Sequence, residues 1–320
     1  MESLVITENV RNCAYAVYAV MLATTLIVYL SGWILKKEMT NFKLRLKSFW
    51  LIVILFTVAF SLNKIFAFCF LAFICYLALK EFISLIPTRR ADRRVLLWAY
   101  LAIPIQFYLI YINWIVTFYL FVPLYMFLFI PMRMVWIGDN EGFLKACGTI
   151  QWGLMATVYS LGYLAAYLVL PLDKNPAGGA VGMLLCILIL TVFNDFAQFF
   201  FGKSLGRRKI IPKVSPNKTW EGFIGGVIAT TILALFLVPY LTPSSSLGLA
   251  AGAGFVIAVA GFLGDVTMSA IKRDIGVKDS GTLLPGHGGI LDRLDSLVFT
   301  APLFFHYTVF LNKIDVYVPF

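Results

Sequence analysis

Charged residues are scarce in this chain of 320 residues: 13% are Asp, Glu, Lys or Arg, whereas 61% are hydrophobic. Soluble domains have about 25% charged and about 45–50% apolar residues, so the composition excludes a soluble globular protein. A membrane-spanning helix needs about 20 apolar residues, and the apolar stretches here are too long for the strands of a membrane β-barrel. The fold class is therefore an all-α polytopic integral membrane protein with nine or ten transmembrane helices.

Cysteine and histidine are also few. The five cysteines lie in or beside apolar segments and have no CxxC spacing, which predicts small apolar packing residues and neither disulfides nor a zinc site. The two histidines, His287 and His306, are too few for a His-rich metal centre.

The apolar runs predict ten spans, although the second and third are separated only by Leu62-Asn63-Lys64 and form either a tight hairpin or one bent unit. The predicted spans are residues 13–35, 48–62, 64–86, 95–112, 114–131, 152–170, 179–201, 222–241, 246–270 and 294–311. Residues 1–150 hold N-terminal transmembrane helices. Residues 151–320 form a C-terminal catalytic region of the same membrane domain, with cytosolic loops at 202–221 and 271–295.

Basic residues are distributed unevenly between the loops. Of 26 Lys and Arg residues, 21 fall in the odd-numbered loops of this map, and the positive-inside rule then places those loops in the cytosol and both termini outside. The net charge of +10 is thus mostly a topology signal and needs no nucleic-acid partner. Compact size and the lack of an added targeting segment favour a bacterial inner membrane.

Acidic residues concentrate in one part of the chain. Seven of the sixteen fall between residues 195 and 295, and Asp195 and Asp265 interrupt or follow apolar runs. A carboxylate within a span costs at least about 2.5–3.5 kcal/mol on insertion scales, so it is expected to face a polar cavity. The alternative for either residue is a helix-packing ion pair or an interfacial position.

A dense polar segment separates the last two spans. If the chain after Gly264 is helical, four side chains share one face by their spacing: Asp265, Ser269, Lys272 and Arg273. Asp292, Asp295 and Ser296 repeat the arrangement on the next helix. Between them, Gly286-His287-Gly288-Gly289 can bring backbone N–H groups close to an anion. Oxygen ligands with surplus cations indicate Mg²⁺ and phosphate groups; the alternative is a solvated loop of mixed charge.

A second basic segment precedes the eighth span. Ser215 is a good N-cap and Pro216 a good first helical residue, so the helix is predicted to start there. Its N-terminal amides, with Lys218 and Thr219, would then bind phosphate, although ordinary capping and topology anchoring are an alternative. Gly225-Gly226 predicts close helix packing.

The segment from Ser269 to Asp295 resembles the signature of the CDP-diacylglycerol synthase (phosphatidate cytidylyltransferase) family. The matching residues are Ser269, Lys272, Arg273, Lys278, Asp279, Gly281, Leu284, Pro285, His287, Gly288, Gly289, Asp292, Arg293 and Asp295. Asn194-Asp195 with Gly202-Lys203, and residues 215–222, extend the resemblance to about residues 190–300. It implies transfer of a cytidylyl group from CTP to phosphatidate in the bilayer, with Mg²⁺, a second monovalent cation such as K⁺, and a homodimer.

The resemblance also implies site residues. Asp265 and Asp292 match the aspartates that hold the metal centre, and Asp295 is a further candidate ligand; Asp279 and Asp295 either ligate metal or orient Lys and Arg. The candidate catalytic residues are Asp265, Asp292, Lys218 and Asp279. The candidate substrate-binding residues are Ser215, Thr219, Ser269, Lys272, Arg273, Lys278, His287, Gly288 and Arg293. His287 is either a loop-orienting donor or a proton carrier.

Several alternatives are open at this point. The same chemistry could act on another lipid phosphate, as in a CDP-archaeol synthase, and CTP-dependent lipid alcohol kinases form a looser neighbour. An ion-coupled transporter would instead show paired interrupted helices in two halves of the chain. A membrane scaffold would not need so complete a set of carboxylates and cations.

Overall fold

The computed structural model describes residues 4–35, 40–86, 93–138, 141–171, 175–283 and 288–314. Within these ranges, ten helices are long and apolar enough to cross a membrane. The prediction of an all-α polytopic integral membrane protein is confirmed. The ten helices are α1 (Glu8–Leu35), α2 (Thr40–Leu62), α3 (Lys64–Leu85), α4 (Arg93–Tyr111), α5 (Ile115–Val135), α6 (Phe143–Val169), α7 (Gly179–Leu205), α8 (Trp220–Leu241), α9 (Leu247–Asp274) and α10 (Leu291–Leu311).

Two of the helices contain wider turns. Helix α5 is π-helical over Phe121–Met126, a segment that includes Pro123. Helix α6 is π-helical over Leu154–Tyr159 and ends in a 3₁₀ turn. A proline removes one backbone donor from the helical ladder, and a π-bulge is one way in which a helix accommodates such an interruption.

Helices α7, α8, α9 and α10 pack together as the C-terminal part of the protein. Small residues permit the close approach of α7 and α8: a Cβ atom on Gly225 or Gly226 would overlap Phe201 or Gln198, respectively. Close contact through small residues is typical of transmembrane helix pairs. The prediction that Gly225-Gly226 serves helix packing is confirmed.

Several of the predicted spans were too short. Helix α6 begins at Phe143 and not at residue 152, because Lys145 and Gln151 interrupt the apolar pattern without ending the helix. Helices α2 and α10 begin at Thr40 and Leu291, before the predicted starts at 48 and 294. Asn63 has an extended backbone and accepts a hydrogen bond from the Phe66 amide at 2.9 Å, so α2 and α3 are two separate helices.

The predicted helix start at Ser215 is wrong. Strand β1 (Lys209–Ile211) pairs antiparallel with strand β2 (Ser215–Thr219), and α8 begins only at Trp220. Pro216 has no N–H to donate, which is tolerated in an edge strand. The N-cap is Thr219, whose Oγ1 accepts a hydrogen bond from the Gly222 amide at 3.2 Å. This hairpin carries Lys218 towards the ends of α7 and α9.

Candidate active site

Lys218 links three elements at the end of the helix bundle. Its ammonium nitrogen lies 2.5 Å from Oδ2 of Asp265 in α9 and donates a hydrogen bond to Oε1 of Gln198 in α7 at 3.3 Å. The Lys218 and Asp265 side chains are 20% and 23% exposed, respectively, so this pair is only partly buried. The Oδ1 atom of Asp265 accepts from the Ser269 hydroxyl at 3.2 Å, as their spacing of four residues predicts.

A second ion pair lies deeper. The Lys272 ammonium nitrogen is 2.6 Å from Oδ1 of Asp292 and 4.0 Å from Oδ2 of Asp295. The Oδ2 atom of Asp292 accepts from the backbone amides of Ser280 at 2.8 Å and Gly289 at 3.0 Å. Asp292 therefore holds both a cation and the backbone of the segment between α9 and α10.

Glycine allows this close approach of backbone to carboxylate. Gly288 has a φ of 84°, which favours glycine. A Cβ atom there would lie 2.8 Å from Oδ2 of Asp292 and 3.7 Å from Cβ of Asp279. Of the segment Gly286-His287-Gly288-Gly289, the Gly289 amide donates to the Asp292 carboxylate. Gly286 and His287 lie outside the described residues, and binding of a ligand anion by this segment stays a prediction.

A third helix contributes Asp195, which was not among the candidate site residues. Its Oδ1 atom accepts a hydrogen bond from the Ser296 hydroxyl at 2.9 Å. The carboxylates of Asp195 and Asp295 each interact electrostatically with Asp265. The sequence signal for Asp195 is its position within an apolar run. That position is typical both of a site residue and of a carboxylate that packs helices together, so the sequence did not decide between them. Gln198, one turn further along α7, was also missed.

The remaining candidate residues differ in their exposure and in their contacts. Arg293 is exposed and interacts electrostatically with Asp195. Arg273 is also exposed, and its guanidinium donates to the Val277 carbonyl at 2.9 Å. Ser215 lies in β2 opposite Ile211.

Lys278 and Asp279 are exposed in the segment that follows α9. Thr219 is buried, with its hydroxyl oxygen engaged as the N-cap of α8. His287 lies outside the described residues.

The carboxylates are compatible with a divalent cation that is shared with substrate. Within the described residues, no group of three or more His, Cys, Asp or Glu side chains is arranged to hold a metal ion by itself. Mg²⁺ is usually bound by one or two carboxylates, water and substrate phosphates. Asp265, Asp292 and Asp295 present only hard oxygen donors, with hydroxyls nearby, which suits Mg²⁺ in that mode. Their assignment as metal ligands stays a prediction.

Comparison with known proteins decides the class of chemistry. The family model described as the cytidylyltransferase family matches residues 43–311. The chain belongs to the cytidylyltransferase family. It is therefore an enzyme, a nucleotidyltransferase, and the resemblance seen in the signature is confirmed.

Individual relatives match over different lengths. The uncharacterized protein YnbB of Escherichia coli (strain K12) is 46% identical over 291 residues, which are 91% of this chain and 95% of that protein. A phosphatidate cytidylyltransferase of Haemophilus influenzae is 43% identical over 133 residues, 40% of this chain and 46% of the relative. One of Staphylococcus aureus (strain COL) is 42% identical over 120 residues, 38% of this chain and 46% of the relative.

Proposed function

We propose that this enzyme is a phosphatidate cytidylyltransferase, which converts CTP and phosphatidate into CDP-diacylglycerol and diphosphate for phospholipid biosynthesis. The observation that supports this most directly is the proximity of two sets of ion pairs, Lys218–Asp265 and Lys272 with Asp292 and Asp295, which are linked by the electrostatic interaction of Asp265 with Asp295. Both reactants are anions, and one of them is a membrane lipid. A site of cations and carboxylates at the ends of membrane-spanning helices suits that pair.

The transfer forms one bond and breaks one. A phosphate oxygen of the lipid attacks the α-phosphorus of CTP, and the bond from that phosphorus to the oxygen bridging to the β-phosphate breaks as diphosphate leaves. The protein has mainly to position the two phosphates and to neutralise their charge. In this proposal, the ammonium groups of Lys218 and Lys272 contact the phosphates, and Arg293 extends the cationic surface towards solvent.

Mg²⁺ would be held by Asp265 with Asp292 and Asp295, and would supply charge neutralisation and alignment of the CTP phosphates. Ser269 donates to Asp265 and so orients one carboxylate. Ser296 donates to Asp195 in the same way, and in this proposal Asp195 would bind the second, monovalent cation that the resemblance implies.

The proposal includes the side of the membrane on which the reaction takes place. Lys203, Arg207, Arg208, Lys209 and Lys213 on and beside the β-hairpin are exposed at the same end as the site. Basic residues favour the cytosolic side of a membrane. We therefore place the site on the cytosolic face of a bacterial inner membrane. A homodimer, which the resemblance implies, is part of the same proposal.

The test is an assay of the purified protein with CTP labelled at the α-phosphate, Mg²⁺ and phosphatidate in mixed micelles. The expected result is label in a lipid product together with one diphosphate per transfer. An isoprenoid ether-lipid phosphate forms the second arm, because the phosphatidate cytidylyltransferases match this chain over less than half of their length. Label in the ether lipid alone would overturn phosphatidate as the substrate, and label in neither lipid would overturn the proposal.

A further inference from the structure

A glutamate from the N-terminal half reaches the segment that connects α9 and α10. Glu81 lies in α3, and its Oε2 atom accepts a hydrogen bond from the Ile290 amide at 2.8 Å. Its Oε1 atom accepts from the Leu291 amide at 3.4 Å and from the Ser280 hydroxyl. One carboxylate therefore contacts Ser280, within the connecting segment, and the start of α10, all about 200 residues further along the chain.

The Ile290 and Leu291 amides have a specific position in the structure. They lie at the start of α10, where the first backbone N–H groups of a helix have no partner within the helix. A carboxylate at that point accepts charge-assisted hydrogen bonds and interacts favourably with the helix dipole. Glu81 thus acts as an N-cap supplied by another helix.

The helix that Glu81 caps carries the candidate machinery. Asp292 lies one residue after Leu291, and Asp295 lies one turn further on. Asp292 also contacts the connecting segment at two points, the amides of Ser280 and Gly289. The two carboxylates, one from α3 and one from α10, therefore both hold Ser280 next to the start of α10.

Glycines fit closely around Glu81. A Cβ atom on Gly289 would overlap Oε1 of Glu81, and one on Gly281 would lie 3.1 Å from its Cδ atom. At position 289 the backbone can approach the carboxylate only because the residue lacks a side chain, and at position 281 a side chain would be tight. The contact is thus built by residues on both sides of the interface.

We infer that Glu81 is a positioning residue for cytidylyl transfer: it caps the helix that bears Asp292 and Asp295 and joins that helix start to Ser280. The inference rests on the proposed function, because it assigns Glu81 to the geometry of that reaction. Glu81 contacts no reacting atom in this account and acts through the groups that it holds.

The test compares Glu81→Gln with Lys80→Gln, an exposed neighbour on the same helix. An amide at position 81 can accept fewer hydrogen bonds and has no charge. We expect amide hydrogen exchange in a peptide covering residues 288–292 to become about tenfold or more faster in Glu81→Gln. We expect kcat per folded molecule to fall about 10–100-fold, with KM for CTP changed much less. The Lys80→Gln variant should match the wild type in all three measurements.

Ser280→Ala is a second, milder variant, which removes one hydroxyl donor and should shift exchange and kcat in the same direction. If Glu81→Gln does not fold, Ser280→Ala tests the positioning role of Glu81 in its place. Wild-type exchange in the variants, or faster exchange with wild-type kcat, would overturn the positioning role. If the wild type transfers no CMP to any lipid phosphate, the proposed function and the positioning role both fall, whereas the exchange data still report whether Glu81 caps the helix.

Discussion

The ammonium nitrogen of Lys218 lies 2.5 Å from Oδ2 of Asp265, which joins strand β2 to helix α9. The same ammonium group lies 5.8 Å from the ring centroid of Phe262 and donates to Gln198. Lysine can contact a phosphate as a compact point charge. Lys218 therefore extends from the hairpin to a candidate metal ligand, the position at which the proposal puts the phosphates of CTP.

Replacing Lys218 by Ala should weaken the use of CTP. We expect KM for CTP to rise about tenfold or more, because a charge-assisted contact to phosphate is lost. Lys213→Ala, which removes an exposed cation from the same hairpin, serves as the control and should leave KM near the wild-type value. Unchanged KM and kcat in Lys218→Ala would assign Lys218 to membrane topology alone.

The Lys272–Asp292 pair should contribute to folding as well as to the site. Its side chains are only 10% and 6% exposed, and removing one partner of a buried pair costs about 3–5 kcal/mol because the other charge is left unpaired. We expect Lys272→Met and Asp292→Asn each to lower the thermal unfolding midpoint in detergent. The double variant should lose less than the sum of the two, and strictly additive losses would contradict coupling of the pair.

Gly222 should be needed for the close packing of the hairpin and of helix α8 against helix α7. A Cβ atom there would lie 2.8 Å from the Gln198 carbonyl oxygen and 2.9 Å from Cα of Gly202. Both are backbone atoms, which cannot move away by a change of rotamer. We expect Gly222→Ala to destabilise the protein by about 1–3 kcal/mol and to lower activity by displacing Lys218. The control is Gly248→Ala, whose Cβ would meet only a side-chain oxygen at 3.7 Å; equal stability of the two variants would refute the close-packing account.

Removal of divalent cations should stop the transfer. With EDTA in excess, two phosphates must approach without the charge that Mg²⁺ would neutralise, so we expect lipid-linked CMP to disappear and to return when excess Mg²⁺ is added. Circular dichroism under both conditions checks that the helices are intact. Undiminished transfer in EDTA would show that the carboxylates do not serve a divalent ion.

Regular spacing explains why part of the structure was predictable. Asp265 and Ser269 are four residues apart on one helix, and this separation alone brings their side chains together; the hydrogen bond between them is present at 3.2 Å. Apolar runs of helix length likewise located the ten spans. Their ends were less predictable, because α6 continues through polar residues such as Lys145 and Gln151 that no longer show an apolar pattern.

Contacts between distant segments could not be predicted in the same way. Ser215 and Thr219 are both good N-caps, and only the pairing of β2 with Lys209–Ile211 decides that Thr219 is used. Glu81 has no local pattern that points to Ile290, because their contact depends on how α3 packs against the start of α10. Asp195 had a signal, but the sequence could not tell a packing carboxylate from one that lies beside Asp265.

The most direct test of the account is the turnover of Asp265→Asn measured beside Asp274→Asn, an exposed carboxylate at the end of the same helix. Both proteins are assayed for lipid-linked CMP per folded molecule, with CTP, Mg²⁺ and phosphatidate. The account predicts a loss of at least about 100-fold for Asp265→Asn and near-normal turnover for Asp274→Asn. Near-normal turnover in a folded Asp265→Asn protein would contradict it.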